Sequence, residues 1–347
     1  MKVLITGASG FLGGHLAEAA LHAGHDVRAL VRQGSDLTRL RALPGLELAY
    51  GDLADAASLA RAAEGVDVVH HSAARVVEHG TREQFWSANV LGTRLLMEAA
   101  RTAGAERFVF ISSPSALMRV GEGDRLGIDE TTPYPDRYYN LYSETKAAAE
   151  RLVLSANRPG FTTVSLRPRG IWGPRDRAGF LPRMVGRMAA GRLPDLAAGR
   201  TVVTSLCHCD NAVAASLLAA DAPAERVGGK AYFIADGERT DLRELLVRLA
   251  GLFGVQPPTR RIPPLVLGAL VEAVELAWRV PALAARREPP LTRYAVALLT
   301  RSTTYDTTAA ERDLGYAPVI SQEDGLKQLM AWVESLGGVE EFKRAVR

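Results

Sequence analysis

Tyr142 and Lys146 stand four residues apart in "YSETK", so they share one face if that stretch is helical. A free tyrosine titrates near ~10, too high for proton exchange at neutral pH, and a neighbouring ammonium favours the phenolate and lowers that value. The pair therefore reads as a general acid or base with its electrostatic partner. Ser112 and Ser113 close the apolar run "RFVFISS", which reads as a strand. Their hydroxyls would lie at its C-terminal end, the edge where open α/β sheets bind ligands.

What positions such a pair is announced at the start of the chain. In "VLITGASGFLGGHL" an apolar run leads into Gly7, Gly10 and Gly13 and then into an alanine-rich stretch. A loop from a strand into a helix N-terminus presents free N–H groups and the positive end of the helix dipole, and attracts an anion. Gly7 permits the tight turn, Gly10 a close backbone approach to phosphate, and Gly13 close helix packing. The spacing is GxxGxxG rather than the commoner GxGxxG. The expected ligand is a dinucleotide whose pyrophosphate sits over Gly7, Ser9, Gly10, Phe11, Leu12 and Gly13. At the end of the second apolar run, "VRALVR", Val31 occupies the place of a ribose-binding acid and Arg32 follows. A cation there suits a 2'-phosphate, so NADP(H) is expected rather than NAD(H).

Strand-like runs "KVLIT", "DVRALV", "LELAY", "VDVVHH", "RFVFISS" and "TTVSLRP" alternate with helical stretches, which implies a parallel sheet covered on both faces. The fold class is α/β, a doubly wound parallel (Rossmann) sheet with a second, smaller, mainly helical substrate domain. Residues 1–172 are assigned to the first domain and most of 173–347 to the second, which is expected to interleave with the sheet. In the second part "KAYFIA" is the clearest strand and "DLRELLVRLAGLFG" the clearest helix.

With 42 basic against 39 acidic residues scattered along 347, a net charge of +3 and 47% hydrophobic residues, the composition is that of an ordinary globular protein. It has no basic block that would point to nucleic acid. The chain starts straight into a strand without secretion-signal features, so a cytoplasmic protein is expected. Cys207 and Cys209, the only cysteines, would face opposite sides of a strand, which suits two reduced thiols and neither a disulfide nor a metal. Segment 263–281 is apolar around most of its helical circumference. It is expected to be a buried helix first, a dimer contact second, and a surface touching a membrane or a lipid-pathway partner third.

The chain resembles the extended short-chain dehydrogenases/reductases through "TGASGFLG", "GDL" (51–53), "HSAA" (71–74), "NVLGT" (89–93), "ISS" (111–113), "YSETK" and "LRPRGIWGP" (166–174). Within that family it is similar to the 3β-hydroxysteroid dehydrogenase/isomerase branch. The strongest similarity is to bacterial 2-alkyl-3-oxoalkanoate reductases of long-chain olefin biosynthesis, through "GKAYFIADGE", "EPPLTR" and "DLGYAPVISQEDGL". The resemblance implies Tyr142 as acid/base, Lys146 as its partner and Ser113, rather than Ser112, as the hydroxyl on the substrate carbonyl. It places Asp52 and Leu53 at the adenine, Ala73 and Ala74 at the middle of the cofactor, Pro168 at the nicotinamide and Lys146 with Tyr142 at the nicotinamide ribose, and counts Asn89, where the family's supporting asparagine falls, among the cofactor contacts. It also implies a homodimer through 84–103 and 142–157. Val31 is the departure, because steroid-type members commonly carry an acid there and use NAD.

Arg169 follows the nicotinamide-side proline, where a guanidinium can grip a carboxylate. Trp172 is expected to touch substrate together with Arg169 and Ser113, and with Phe180, Leu181 and 263–281 it would wall an acyl or sterol tunnel, the alternative for all of them being core. The leading expectation is NADP(H)-dependent reduction of the 3-oxo group of a long-chain 2-alkyl-3-oxoalkanoate. Behind it stand a hydroxysteroid dehydrogenase, a nucleotide-sugar epimerase or dehydratase, and a non-catalytic NADP-sensing module.

Overall fold

The computed structural model describes every residue except 78, 279, 281–288 and 347. Its strands are β1 (Lys2–Thr6), β2 (Asp26–Val31), β3 (Glu47–Tyr50), β4 (Val68–His71), β5 (Arg107–Ile111), β6 (Arg125–Ile128), β7 (Thr162–Pro168), β8 (Ile171–Trp172), β9 (Val203–Thr204), β10 (Cys207–His208), β11 (Lys230–Ile234), β12 (Thr240–Asp241) and β13 (Thr303–Tyr305). The helices up to residue 277 are α1 (Phe11–His22), α2 (Thr38–Arg41), α3 (Ala56–Ala63), α4 (Arg82–Trp86), α5 (Gly92–Thr102), α6 (Leu141–Ser155), α7 (Phe180–Ala189), α8 (Cys209–Asp221), α9 (Ala224–Val227), α10 (Leu242–Leu252) and α11 (Pro264–Ala277).

Seven strands form one parallel sheet in the order β11-β7-β5-β4-β1-β2-β3. Strand order reverses between β1 and β4, and a crevice opens there at the carboxyl ends, where open α/β sheets take ligands. One face is sealed by α1 and α8, with Leu16, Ala20, Ala215 and Ala219 fully or almost fully buried on it. The opposite face carries α3, α5 and α6 over Leu59, Leu96, Phe108 and Val153. Burial on both sides explains why the strands read as continuous apolar runs.

The second half of the chain is divided between two tasks. β11 extends the sheet and α8 covers it, so the boundary near residue 172 is crossed twice. The rest has its own core around Trp172, Met184, Leu245, Leu249, Phe253 and Phe342, beside a four-stranded sheet ordered β12-β9-β13-β6. Those strands of two to four residues carry too few alternating positions to show in the sequence.

Three expectations are corrected. The stretch at 84–103 is not one regular helix: α4 passes through a π-helical turn at Ser87–Leu91 before α5 begins. Cys209 starts α8 instead of continuing a strand, although both thiols are free and buried. Segment 263–281 is not a buried helix, because only Leu267 and Val271 of α11 are buried, whereas Leu265 is 90% exposed. Arg279 and Pro281 of that segment lie outside the described residues. Among the described residues no helix is long and apolar enough to cross a membrane.

Candidate active site

A cavity of about 1150 Å³ runs over the carboxyl ends of β1, β4 and β5 and on towards α7. That exceeds the usual range for one small ligand, and leaves room for a dinucleotide with a substrate beside it. Gly7, Ser9, Gly10, Phe11, Leu12, Gly13, Arg32, Asp52, Leu53, Ala73, Ala74, Ser113, Tyr142, Lys146, Pro168 and Arg169 all line it.

The dinucleotide end is made largely of backbone. Gly7 has φ +72°, and a Cβ on it would lie 2.9 Å from the Ala73 nitrogen. A Cβ on Gly13 would lie 2.3 Å from the Gly7 carbonyl oxygen, so the first turn of α1 rests directly on the loop before it. Gly10 caps α1 with no side-chain hydrogen bond, leaving the first N–H groups of the helix for an anion. These features fit a pyrophosphate.

His71 locks this loop to the next one. The Ala73 N–H donates to Thr6 Oγ1 (3.1 Å), which bonds His71 Nδ1 (2.7 Å), and His71 Nε2 bonds Thr93 Oγ1 (2.9 Å). Since the Thr93 hydroxyl donates to the Asn89 carbonyl (2.7 Å), it accepts from Nε2–H, and this fixes the tautomer. Burial pulls the imidazole down to about 3, so it stays neutral. Its part was hidden in "HSAA", whose periodicity reports only a buried strand end.

On α6, Asn140 caps the helix by accepting from the Ser143 N–H (2.8 Å). The hydroxyl of Ser113 hydrogen-bonds the Tyr142 phenol, while Ser115 donates to Ser113 Oγ from both its N–H and its hydroxyl. Lys146 Nζ is buried, donates to the Ile111 carbonyl (2.6 Å) and lies 4.7 Å from the Phe110 ring centroid. Burial pulls its ammonium down to about 7, against the opposing pull of Glu150. In the free protein burial pushes the Tyr142 phenol up and the Ser113 bond only partly opposes it, whereas the lowering expected of the ammonium acting with an oxidised nicotinamide belongs to the complex. One turn further on, Glu150 meets Arg167 at 2.7 Å, with Tyr134 and Ser165 donating to the same carboxylate. This buried pair ties α6 to β7.

Two expected contacts fall elsewhere. Trp172 is 1% exposed and its Nε1–H donates to Asp236 (2.9 Å), so it belongs to the second core and not to the cavity wall. Asn89 does not line the cavity. Its amide is held by the Arg75 backbone and by Thr145, which leaves it a support between loop and helix. Of the possible wall residues, Phe180 lines the cavity and Leu181 is core.

Phe180, Arg183, Met184 and Arg187 of α7 and Tyr294, Leu298 and Leu299 of the helix Arg293–Thr300 form the remaining arm of the cavity. Arg175 fastens that arm to the dinucleotide end, with both its terminal nitrogens on Glu18 of α1 (2.6 and 2.8 Å). Nothing in its local sequence distinguishes Arg175 from a solvated arginine. Only the packing of the two halves brings Glu18 to it.

Residues 3–235 match the model of the NAD dependent epimerase/dehydratase family. The chain belongs to this family. A ketoreductase of Stigmatella aurantiaca named for a 4-hydroxy-2-methyl-3-oxo-4-farnesyl-3,4-dihydroquinoline-1-oxide is 39% identical, over 95% of this chain and 96% of its own. A 2-alkyl-3-oxoalkanoate reductase of Stenotrophomonas maltophilia is 38% identical, over 95% and 99%. A 3-beta-hydroxysteroid dehydrogenase of Mycolicibacterium neoaurum is 33% identical, over 96% and 92%. The crystal structure of gox2253 superposes with a TM-score of 0.79 at 30% identity, covering 96% of this chain and 98% of that one. Within the epimerase/dehydratase family the protein is an NAD(P)-dependent oxidoreductase of the extended short-chain dehydrogenase/reductase type.

Proposed function

We propose that the protein reduces the 3-oxo group of a long-chain 2-alkyl-3-oxoalkanoate to the hydroxyl, reversibly, with NADP(H). Bound NADPH supplies the hydride. The Tyr142 phenol, still protonated at neutral pH, gives its proton to the carbonyl oxygen, and the Ser113 hydroxyl holds that oxygen beside it. Lys146 would hold the nicotinamide ribose, and with the cofactor bound its ammonium would stabilise the phenolate that Tyr142 leaves on giving up its proton. In the reverse direction the same phenol takes the proton back.

The observation that carries the substrate reading is Arg169. It lines the cavity shared by Ser113, Tyr142 and Lys146, and its Nε is buried without a partner. A carboxylate on the substrate supplies that partner, which a sterol lacks. Arg169→Met is expected to raise KM for a 2-alkyl-3-oxo acid and to leave the NADPH dissociation constant unchanged, with a loss of roughly 1.5 to 3 kcal/mol. Equal turnover of the acid and its methyl ester by the wild-type protein, or faster turnover of a 3-hydroxysteroid, would move the steroid reading to first place.

For the cofactor, Val31 is buried at the second strand end and Arg32 is exposed beside it. A second hollow of about 590 Å³ adjoins them, lined by Arg32, Ser35, Ser58 and Arg61 and also by Asp52 and Asp55. The two guanidiniums and the hydroxyls are donors for a 2'-phosphate, and the two carboxylates oppose it, so the cofactor choice rests on Arg32 standing beside Val31 where an acid would otherwise be. The expected result is a higher kcat/KM with NADPH than with NADH, with Arg32→Asp weakening NADPH far more than NADH. A preference for NADH overturns this choice.

A further inference from the structure

Asp176 stands in the loop between β8 and α7, and only 4% of it is exposed. Its Oδ1 accepts the backbone N–H groups of Ala178 (3.2 Å) and Gly179 (2.7 Å), which fastens the loop ahead of the helix. Its Oδ2 is buried without a hydrogen-bond partner, and the residue lines the cavity. Residue 179 is glycine for a reason, since a Cβ there would lie 2.2 Å from Oδ2. Holding the loop needs one oxygen, and the second has no structural task. A buried acceptor left without a hydrogen bond is costly, and more so for a charged group. Burial pushes this carboxyl up to about 6, against the two N–H bonds and the nearby Arg183. A ligand donor reaching Oδ2 would remove that penalty.

We propose that Asp176 is a specificity residue whose free Oδ2 accepts a hydrogen bond from a substrate hydroxyl or amide N–H placed beyond the ketone. The inference rests on reading the protein as a reductase of 2-alkyl-3-oxo acids, and narrows that class to members whose alkyl chain carries a hydroxyl or an amide N–H. The substrate carries a donor in addition to the ketone. Asp176 also gives the arm a polarity. A substrate carboxylate is repelled by its charge and drawn to Arg169, whereas a neutral donor is attracted to Oδ2 by a charge-assisted bond. A chain of hydrocarbon alone leaves Oδ2 unmet. The donor is assigned to substrate because the helix that follows Asp176 lines the substrate arm with Phe180, Arg183 and Met184.

The test compares five probes: 3-oxodecanoate, its 4- and 5-hydroxy derivatives, and the two matching methyl ethers. Wild-type protein is expected to favour a hydroxy probe over its ether by about ten- to a hundredfold in kcat/KM, the range of a hydrogen bond to a charged group. Asp176→Asn keeps the Oδ1 acceptor and turns Oδ2 into an N–H2 donor, so the preference should vanish or reverse. Asp176→Ser, another residue that can hold the loop, should lose it too, which guards against a folding defect in one variant. No preference in the wild type, or a preference kept by both variants, overturns the proposal. So does a tenfold loss of NADPH affinity in Asp176→Asn, because the donor would then belong to the cofactor. The same ratios read as dissociation constants in the presence of NADP⁺ decide the matter even if 3-oxodecanoate is not reduced, an outcome that counts against the reductase reading alone.

Discussion

The two ends of the cavity are built from different materials. At the dinucleotide end the wall is backbone, its glycines leave clearances of 2.3 and 2.9 Å for a Cβ, and one hydrogen-bonded chain runs from Ala73 through Thr6, His71 and Thr93 to Asn89. At the substrate end the wall is side chains from α7 and later, and it holds two orphan atoms, Arg169 Nε and Asp176 Oδ2. Arg75 Nε, Ser112 Oγ and Asn140 Nδ2 are also buried without partners on residues that line the cavity, so the contrast between the ends lies in backbone against side chains and not in completeness. A site that accepts one shared cofactor can be made of backbone, whereas selection of a particular substrate needs side-chain charges whose partners are on the ligand.

The largest effect should come where the two ends meet. Tyr142→Phe is expected to lose turnover by about two to four powers of ten while still binding cofactor, and near-normal rates would remove the phenol from the chemistry. Next come substitutions that break the dinucleotide end. Glu150→Ala leaves Arg167 buried without its counter-charge, and should lower unfolding free energy by about 3 to 5 kcal/mol in urea titrations. Gly13→Ala presses a methyl group onto the Gly7 carbonyl, so it should destabilise by about 1 to 3 kcal/mol and weaken NADPH at least tenfold. An unchanged dissociation constant would show that the loop yields more readily than its contacts indicate.

Protonation sharpens the contrast. Lys146 loses its charge near pH 7 in the free protein, and bound dinucleotide phosphate and ribose favour the charged form. By linkage, cofactor affinity should fall as pH rises from about 7 towards the value in the complex, by at most tenfold per pH unit. Fluorescence titration from pH 6 to 9 measures it, and Lys146→Met should flatten the curve. Asp176 has the opposite sign of concern. Its folded value near 6 lies above the ordinary 3.8, so its deprotonation weakens the fold as pH rises from about 4 through 6. Asp176→Asn should remove that slope from the melting temperature. The smallest effect belongs to α11: Leu265→Ser should change stability by less than about 0.5 kcal/mol, where a buried leucine would lose several times more.

Much of the dinucleotide end could be read from sequence because it is local. Gly7, Gly10 and Gly13 lie in one loop, Tyr142 and Lys146 on one helix turn, and Ser113 at one strand end, and each follows from spacing and strand–helix alternation. Trp172 was misplaced for the complementary reason. A large aromatic next to a motif can face a cavity or a core, and the choice was made by Asp236, 64 residues away.

By itself, then, the sequence determined the parallel sheet, the glycine turn into α1 and the shared face of Tyr142 and Lys146, since these are written in periodicity and short-range spacing, while the family and the choice of Ser113 came through the resemblance of its motifs. Tertiary structure alone decided that β11 and α8 return to the first domain, that His71 is a neutral link and that Glu18 receives Arg175. It also left α11 outside the core and turned Asp176 Oδ2 into the cavity. Those outcomes depend on which surfaces remain uncovered once the two halves pack, a balance of burial and hydrogen-bond partners between residues tens to hundreds of positions apart. No local pattern carries that balance.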